Sequence, residues 1–275
     1  MINAAVIDET RTAWAAEADW SVIVPFHNER DFLPATLASL AAQQVRPVVV
    51  LVDNASTDRS GELARDLCLW LGLDAIHLHE SRPGKVAALQ CGLEAVTTRF
   101  VATCDADTLY PEHYLARATR MLEKRGAVAG VAAYSAPSAR LTARLAGWRM
   151  VLTSRLLPQQ CLNGGAGQVF RTAALRACGG FDPAIWNWVL EDHEIMARIE
   201  PLGRIAYDAR FVCHPAPRPR AVNCTGWNFG EQLRYHSTRA GERLAYFHDF
   251  LAPRLRSRAL QSAMLRRSGS VAAGA

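Results

Sequence analysis

Two aspartates one residue apart, Asp105 and Asp107, follow an apolar run, Phe100-Val101-Ala102-Thr103-Cys104. β-Branched and aromatic residues in such a run predict a buried strand. In an open α/β sheet the carboxyl end of a buried strand faces the crevice where ligands bind. Two carboxylates crowded there repel unless a cation lies between them. A hard divalent ion with oxygen ligands meets that need, and magnesium keeps waters and substrate phosphates in its shell. The plain alternative is a turn, because Asp commonly follows strands and Pro111 fits a helix start. Taken alone, the triplet favours the turn, so its weight rests on what lies before and after it.

The elements that must position these acids are legible in order. Trp20–Val24 predicts a strand that stops at Pro25-Phe26-His27-Asn28-Glu29. Asn28 has the side chain of a helix N-cap, and Glu29 and Asp31 suit the positive end of a helix dipole. The continuous apolar run Val48–Val52 predicts a strand buried on both faces, ending at Asp53-Asn54-Ala55-Ser56-Thr57-Asp58. A helix to about Leu71, a strand over Ala75–Leu78, and a helix from Arg82-Pro83-Gly84-Lys85 to Val96 follow. Strand, polar tip and helix thus alternate, which predicts a mainly parallel, doubly wound α/β sheet. Its strand tips bring the acids around one crevice. The second half is less regular. Strands are expected at Ala127–Ala133, Gln168–Phe170, Ile205–Tyr207 and Phe211–Cys213. Helices are expected at Arg140–Leu157, from Glu191 to about Glu200, at Gly226–Arg239 and at Glu242–Leu265. A glycine-rich turn covers Asn163–Gly167.

The chain has 275 residues, half of them hydrophobic, which allows one large α/β domain with an appended subdomain. The expected division is an extension over 1–19, a first half over 20–133 and a second half over 134–225. Helices over 226–267 and a disordered tail over 268–275 complete it. A net charge of +5 is mild and by itself fits phosphorylated substrates or an anionic membrane surface as well as nucleic acid. Seven cysteines without a CxxC pair read as small buried hydrophobes in a reducing compartment. Neither a signal peptide nor an uninterrupted membrane span is visible, so a cytoplasmic protein is expected, free or peripheral at the inner face of the membrane. There is no GxGxxG after the first strand and no P-loop around Gly84-Lys85, which argues against dinucleotide enzymes and P-loop NTPases.

Six segments in order and spacing resemble a family 2 glycosyltransferase with the GT-A fold. They are VIVPFHNE (22–29), VVLVDNASTDRS (49–60), RPGKVAALQCGL (82–93), CDADT (104–108), GGFDP (179–183) and Glu191-Asp192. The resemblance covers about Trp20 to Tyr235. It implies a GT-A nucleotide-diphospho-sugar transferase fold and a role for each matched residue. Pro25 and Glu29 would line the nucleotide pocket. Asp53 would accept a hydrogen bond from the base, and Lys85 would sit near the nucleotide or its phosphates. Asp105 would approach the ribose and metal, Asp107 would ligate Mg²⁺ or Mn²⁺, and Asp192 would be the catalytic base. Each residue has a plainer reading too: Asp53 as a turn residue, Lys85 as a solvated helix start, Glu191-Asp192 as first-turn helix acids. Trp186 and Trp188 are either core or, with Glu191, a platform for the acceptor sugar.

Glu231-Gln232-Leu233-Arg234-Tyr235 resembles the QQxRW signature of processive and lipid-directed members, with Glu231 for Gln and Tyr235 for Trp. Arg234 would pair with the diphosphate. His214 is a further candidate metal or phosphate contact, although a lone histidine is more often structural. The arginines at 140, 144, 149 and 155, set against Trp148 and leucines, suit either solvent or an anionic bilayer. The expected function is inverting, metal-dependent transfer of a sugar, with UDP as the expected donor nucleotide, to a hydroxyl of a carbohydrate or lipid-linked acceptor; nucleic acid is not expected as a partner. The alternatives are a metal-dependent nucleotidyltransferase and a catalytically degenerate sugar-binding protein.

Overall fold

A computed structural model describes residues 18–135, 140–157, 160–217 and 226–263. Most of the expected N-terminal extension, the tail and Cys224 lie outside the described residues. In chain order the elements begin β1 (Trp20–Phe26), α1 (Leu33–Ala41), β2 (Val48–Asp53), α2 (Ser60–Leu71), β3 (Ala75–His79), α3 (Lys85–Ala95) and β4 (Phe100–Cys104). They continue with β5 (Thr108–Leu109), α4 (Tyr114–Leu122), β6 (Ala127–Val131), β7 (Ala133–Tyr134), α5 (Arg140–Leu156), β8 (Gly167–Arg171) and α6 (Thr172–Ala177). The last are α7 (Glu191–Ile199), β9 (Arg204–Ala206), β10 (Val212–Pro215), α8 (Phe229–Ser237), α9 (Arg243–Ala245) and α10 (Ala252–Ser257).

The main sheet has seven strands in the order β3-β2-β1-β4-β8-β6-β9. β1, β2, β3 and β4 run parallel, and the unbroken apolar run of β2 is that of a strand covered on both faces. β8 is antiparallel to both β4 and β6. A strand from the later part of the chain is therefore built into the sheet begun by the earlier part, and the two expected halves share one core. A second, three-stranded sheet, β5-β10-β7, sits beyond the tip of β4. It pairs His214 with Leu109 and so ties the segment after Asp107 to β10.

Packing fixes how closely the helices lie on the sheet. α3 is buried along Val86, Ala87, Ala88, Leu89, Gly92 and Leu93. At Gly92 a Cβ would stand 2.5 Å from Ile23 Cγ2 and 3.1 Å from Val52 Cγ2, so only glycine lets this helix settle onto β1 and β2. That contact sets where Lys85, the first residue of α3, stands. On the other face Trp20 stacks on Phe100 with ring centroids 5.1 Å apart. Burying large side chains of this kind contributes about 1.5–3 kcal/mol each.

Two local expectations change. Asn28 is not a helix cap: its φ of 56° turns the chain, its Oδ1 accepts from Thr57 N, and α1 starts later, at Leu33 with Pro34 in its first turn. The single helix expected over Glu242–Leu265 is broken. A π-helical turn over Tyr246–Leu251 joins α9 to α10, and Ala259, at φ 54°, turns the chain back toward the sheet.

Candidate active site

Three loops at the carboxyl edge of the parallel strands are sewn together by short polar side chains. From the β1 tip, Asn28 N donates to Ser56 Oγ at 3.0 Å, Glu29 N to Ser60 Oγ at 3.0 Å and Arg30 N to Asp58 Oδ2 at 3.1 Å. Asn54, 1% exposed, reaches the next loop. Its Nδ2 donates to the carbonyls of Glu80 and Arg82, each at 2.7 Å, and its Oδ1 accepts from Gly84 N at 3.1 Å. Asp53 closes its own turn by accepting from Ser56 N at 2.8 Å. A Cβ on Gly61 would lie 2.5 Å from Asp53 Oδ2, so glycine is required beside that carboxylate. Pro25 and Glu29 border this edge, both part-exposed.

Lys85 joins the edge to the other side of the cleft. Its Nζ lies 2.6 Å from Asp105 Oδ1 and 3.5 Å from Glu191 Oε1. Burial by itself would depress its pKa. The carboxylates of Asp105, Glu191 and Asp192 outweigh burial and hold the ammonium well above its ordinary range. Asp105 is fixed from behind, its N–H donating to Tyr110 Oη at 2.9 Å while Tyr110 donates to Ala166 O at 2.6 Å.

Glu191 and Asp192 open α7, whose N-terminus is positioned by Gln168 of β8, donating to Asp192 O at 2.9 Å. The two neighbouring carboxyls are driven apart. Burial raises the Glu191 pKa, and the adjacent Asp192 adds to the rise, against the pull of Lys85. Asp192 is buried too, but His193 and Lys85 overcome that burial and lower its pKa. Its Oδ1 accepts from both His193 N and His193 Nδ1, each at 2.8 Å. Its Oδ2 faces the glycine turn: a Cβ on Gly164 would stand 2.9 Å from Oδ2, and one on Gly165 would stand 3.3 Å from Lys85 Nζ. The absence of side chains there keeps one oxygen of an ionised carboxylate open. Such an oxygen can accept a proton, and a pair of carboxyls pushed apart in this way is a mark of acid–base assignment.

His193 is backed by aromatic rings, with Trp227 at 4.9 Å and Tyr235 at 5.9 Å between centroids. Tyr235, the residue standing for Trp in the QQxRW-like segment, accepts from Cys161 N at 3.0 Å. Glu231, standing for Gln, is the acid of a capping box with Asn228 and takes both of its Arg258 contacts at 3.0 Å. Arg234 lies on the exposed side of α8, its guanidinium 3.9 Å from the Phe250 ring centroid.

The remaining predicted residues are spread around this cleft. Asp107 follows the β4 tip, its carbonyl accepting from Ala216 N at 2.8 Å and its Oδ1 lying 3.3 Å from Thr108 Oγ1. His214 turns Nδ1 toward Ser135 Oγ at 2.9 Å and Ser135 O at 3.0 Å. Among the described residues no group of three or more His, Cys, Asp or Glu side chains forms a metal cage. Trp186 is 2% exposed, packed edge-on against Phe247 and donating to Val189 O, so it has no face for a sugar. Trp188 is half-buried, and its backbone bridges to Gln261. Sequence reasoning passed over Asn54, His193, the Gly164-Gly165 contact and Ser262, which accepts from Lys85 N at 2.9 Å. The adjacency of His193 to the acid pair was the one signal available.

Known proteins resemble the chain in sequence and in fold. Over 102 residues the chain is 33% identical to an undecaprenyl-phosphate 4-deoxy-4-formamido-L-arabinose transferase of Aeromonas hydrophila, covering 35% of this chain and 31% of that one. The matched region is thus about a third of the length of such curated relatives. In fold, the chain is similar to the mannosyltransferase PcManGT from Pyrobaculum calidifontis, solved with GDP-Man and Mn²⁺ (TM-score 0.64, 23% identity, 94% of this chain and 76% of that one). It is also similar to S. aureus TarS 1–349 solved with UDP-GlcNAc (TM-score 0.58, 18% identity, 85% and 71%). Residues 21–177 match the model of glycosyl transferase family 2, more than half of the sequence, and the chain belongs to that family.

Proposed function

We propose that the protein is an inverting glycosyltransferase that moves a sugar from a nucleoside-diphosphate donor to a hydroxyl of a lipid-linked or cell-surface glycan precursor. The observation that carries this reading is the Lys85 bridge, which brings Asp105 of the donor edge and Glu191-Asp192 of α7 to one cation. Asp53 takes the base, with UDP the expected donor nucleotide; the fold neighbours hold GDP-Man and UDP-GlcNAc, so both nucleotides belong in the test. Pro25 and Glu29 line the nucleotide. Lys85 moves from its carboxylates toward the diphosphate as phosphate charge arrives. Asp192 Oδ2 takes the proton of the acceptor hydroxyl. The attacking oxygen forms its bond to the anomeric carbon as the bond to the diphosphate oxygen breaks, and configuration inverts.

Asp105 and Asp107 are the residues that would hold Mg²⁺ or Mn²⁺. Two part-exposed carboxylates without a protein cage fit an ion whose shell is completed by water and a diphosphate. When bound, such an ion stabilises the charge of the departing diphosphate as a Lewis acid. The acceptor side lies toward Trp188 and the Gly164-Gly165 turn, and a lipid-linked acceptor would require peripheral contact with its membrane. No helix among the described residues is long and apolar enough to cross a membrane.

The test is thermal shift with UDP, GDP and a nucleoside triphosphate, with and without Mn²⁺, followed by hydrolysis of the corresponding nucleotide sugars. Metal-dependent stabilisation by a nucleoside diphosphate, and hydrolysis abolished in Asp192→Asn, are the expected results. Stabilisation by the triphosphate alone, or hydrolysis indifferent to Asp192, would overturn the reading.

A further inference from the structure

A cavity of about 300 Å³ lies along one flank of α5, outside the site built around Lys85. It is lined by Tyr134, Arg149, Thr153, Asn163 and His236 among others. The same walls reach the catalytic turn. Tyr134 Oη accepts from Ala166 N at 3.1 Å, and a Cβ on Gly164 would lie 3.0 Å from that hydroxyl and 2.9 Å from Asp192 Oδ2. The cavity therefore borders the acceptor side of the proposed base. Its lining offers one full cation, Arg149, with amide, hydroxyl and imidazole groups around it, a set suited to phosphate oxygens.

The adjoining face of α5, which the exposed Arg149 borders, is apolar and open. Leu145, Trp148, Leu152 and Leu156 are 61%, 64%, 60% and 74% exposed. Their spacing of three, four and four residues places them on one stripe of about 80° at 100° per residue. The helix holds four arginines and no acid. Its depth is fixed from within, because a Cβ on Gly147 would stand 1.9 Å from Ala209 O. An apolar stripe on a helix whose charges are all positive complements an anionic lipid surface. A protein partner would have to match both the leucine–tryptophan ridge and the exposed guanidiniums of Arg149 and Arg155.

We propose that this cavity receives the phosphate-bearing head of a lipid-linked acceptor, with Arg149 as its cation, while the outer stripe of α5 rests on the bilayer that holds the tail. This rests on the transferase reading and names its acceptor side. Arg149 stands where cavity and stripe meet, so the head enters beside Tyr134 and Asn163 while the tail stays with the membrane.

Two probes test it. Vesicles of phosphatidylcholine with 30% phosphatidylglycerol should retain the protein, and pure phosphatidylcholine vesicles should not. Trp148→Ser with Leu152→Ser should reduce retention at least tenfold, and Arg149→Gln about fivefold. Farnesyl phosphate should raise the Tm, and farnesol and inorganic phosphate should not. That shift should vanish in Arg149→Gln and in Thr153→Trp, which fills the cavity, and persist in the stripe variant. Stabilisation by nucleoside diphosphate must be unchanged in every variant, which shows that each still folds. Its absence from the parent protein would instead sink the transferase reading while leaving vesicle binding to be read separately. The proposal is overturned if inorganic phosphate acts as well as farnesyl phosphate, or if farnesyl phosphate still acts in Thr153→Trp. It is also overturned if the parent protein is a dimer that the stripe substitutions separate, because the stripe is then a subunit interface.

Discussion

Lys85 Nζ stands 2.6 Å from Asp105 Oδ1, and by that contact the first helix residue after the third parallel strand is fastened to the tip of the fourth. The same ammonium faces Glu191, so one cation keeps three carboxylates, from two ends of the fold, in a common cleft. Lys85→Met keeps the stem and removes the charge. A third of the side chain is exposed, so the cost is set below that of a fully buried pair, at about 1–3 kcal/mol. The raised lysine pKa gives stability that is complete below the unfolded lysine value and fades at higher pH. The deficit should therefore be present at neutral pH, persist to about pH 10, the ordinary lysine value, and shrink well above it. Chemical denaturation of parent and variant at several pH values measures it, and equal stabilities would remove Lys85 from this role.

The neighbouring acids should respond in opposite directions. Asp192 has a lowered pKa, so its contribution to stability is present above the unfolded value and is lost as pH falls through the folded one. Glu191 has a raised pKa, so its contribution is present at low pH and is lost as pH rises. At pH 7, Asp192→Asn should destabilise the protein, and Glu191→Gln should leave stability equal or higher. Donor turnover should fall about 10²–10⁴-fold in Asp192→Asn, the usual range for a lost general base. His193→Phe keeps ring packing against Trp227 and Tyr235 but removes Nδ1 from Asp192 Oδ1. The acid limb of its kcat/KM profile should move to higher pH. An unmoved limb would mean that His193 only fills space.

Two nearby glycines separate catalysis from folding. In Gly164→Ala the new methyl would stand 2.9 Å from Asp192 Oδ2 and 3.0 Å from Tyr134 Oη, in the path of the proposed acceptor hydroxyl. Turnover should fall tenfold or more, because misplacement by about 1 Å can cost 10²-fold, while nucleotide affinity stays unchanged. In Gly167→Ala the methyl would meet Ala132 Cβ at 2.7 Å and Cys213 Sγ at 3.0 Å, inside the core. That overpacking should cost about 1–3 kcal/mol. Rates and denaturation midpoints measured on both variants would refute this division if the two behaved alike.

How far the sequence could be read follows from where the information lay. Apolar runs such as Val48–Val52 and Phe100–Cys104 can only be buried strands, and the alternation around them implied the parallel core. The antiparallel β8 was not legible as such, because Gly167–Arg171 carries no mark of its direction. Loop acids were found by position, but their partners were not. That Asn54 would be a buried anchor for another loop depends on contacts 26 and 28 residues away. Trp186 and Trp188 looked equivalent in sequence, and only packing against Phe247 shows the first to be core. The QQxRW-like segment was read through Arg234, which stacks on Phe250, whereas Tyr235 is the residue directed at His193.

The C-terminal strap is the remaining support of Lys85, and it is held from a distance. Arg258 reaches Glu231, 5% exposed, with both contacts at 3.0 Å, and Ala259 then turns the chain back. Beyond that turn Leu260 O accepts from Val189 N at 3.1 Å, Ser262 N donates to Asn187 O at 3.1 Å, and Ser262 Oγ accepts from Lys85 N. One short segment thus grips both the start of α3 and the loop that leads into Glu191-Asp192. Arg258→Ala leaves a buried carboxylate without its cation and should cost about 2–3 kcal/mol, since Arg258 itself is one-third exposed. Ser262→Ala removes a single hydrogen bond and should cost about 1 kcal/mol. If the strap acts as a unit, Arg258→Ala should speed amide exchange at Lys85 and Val189 as well as in α10, which Arg258 follows. Exchange confined to α10 would show that the strap is held by its local pairing alone and that Glu231 serves only the cap of α8.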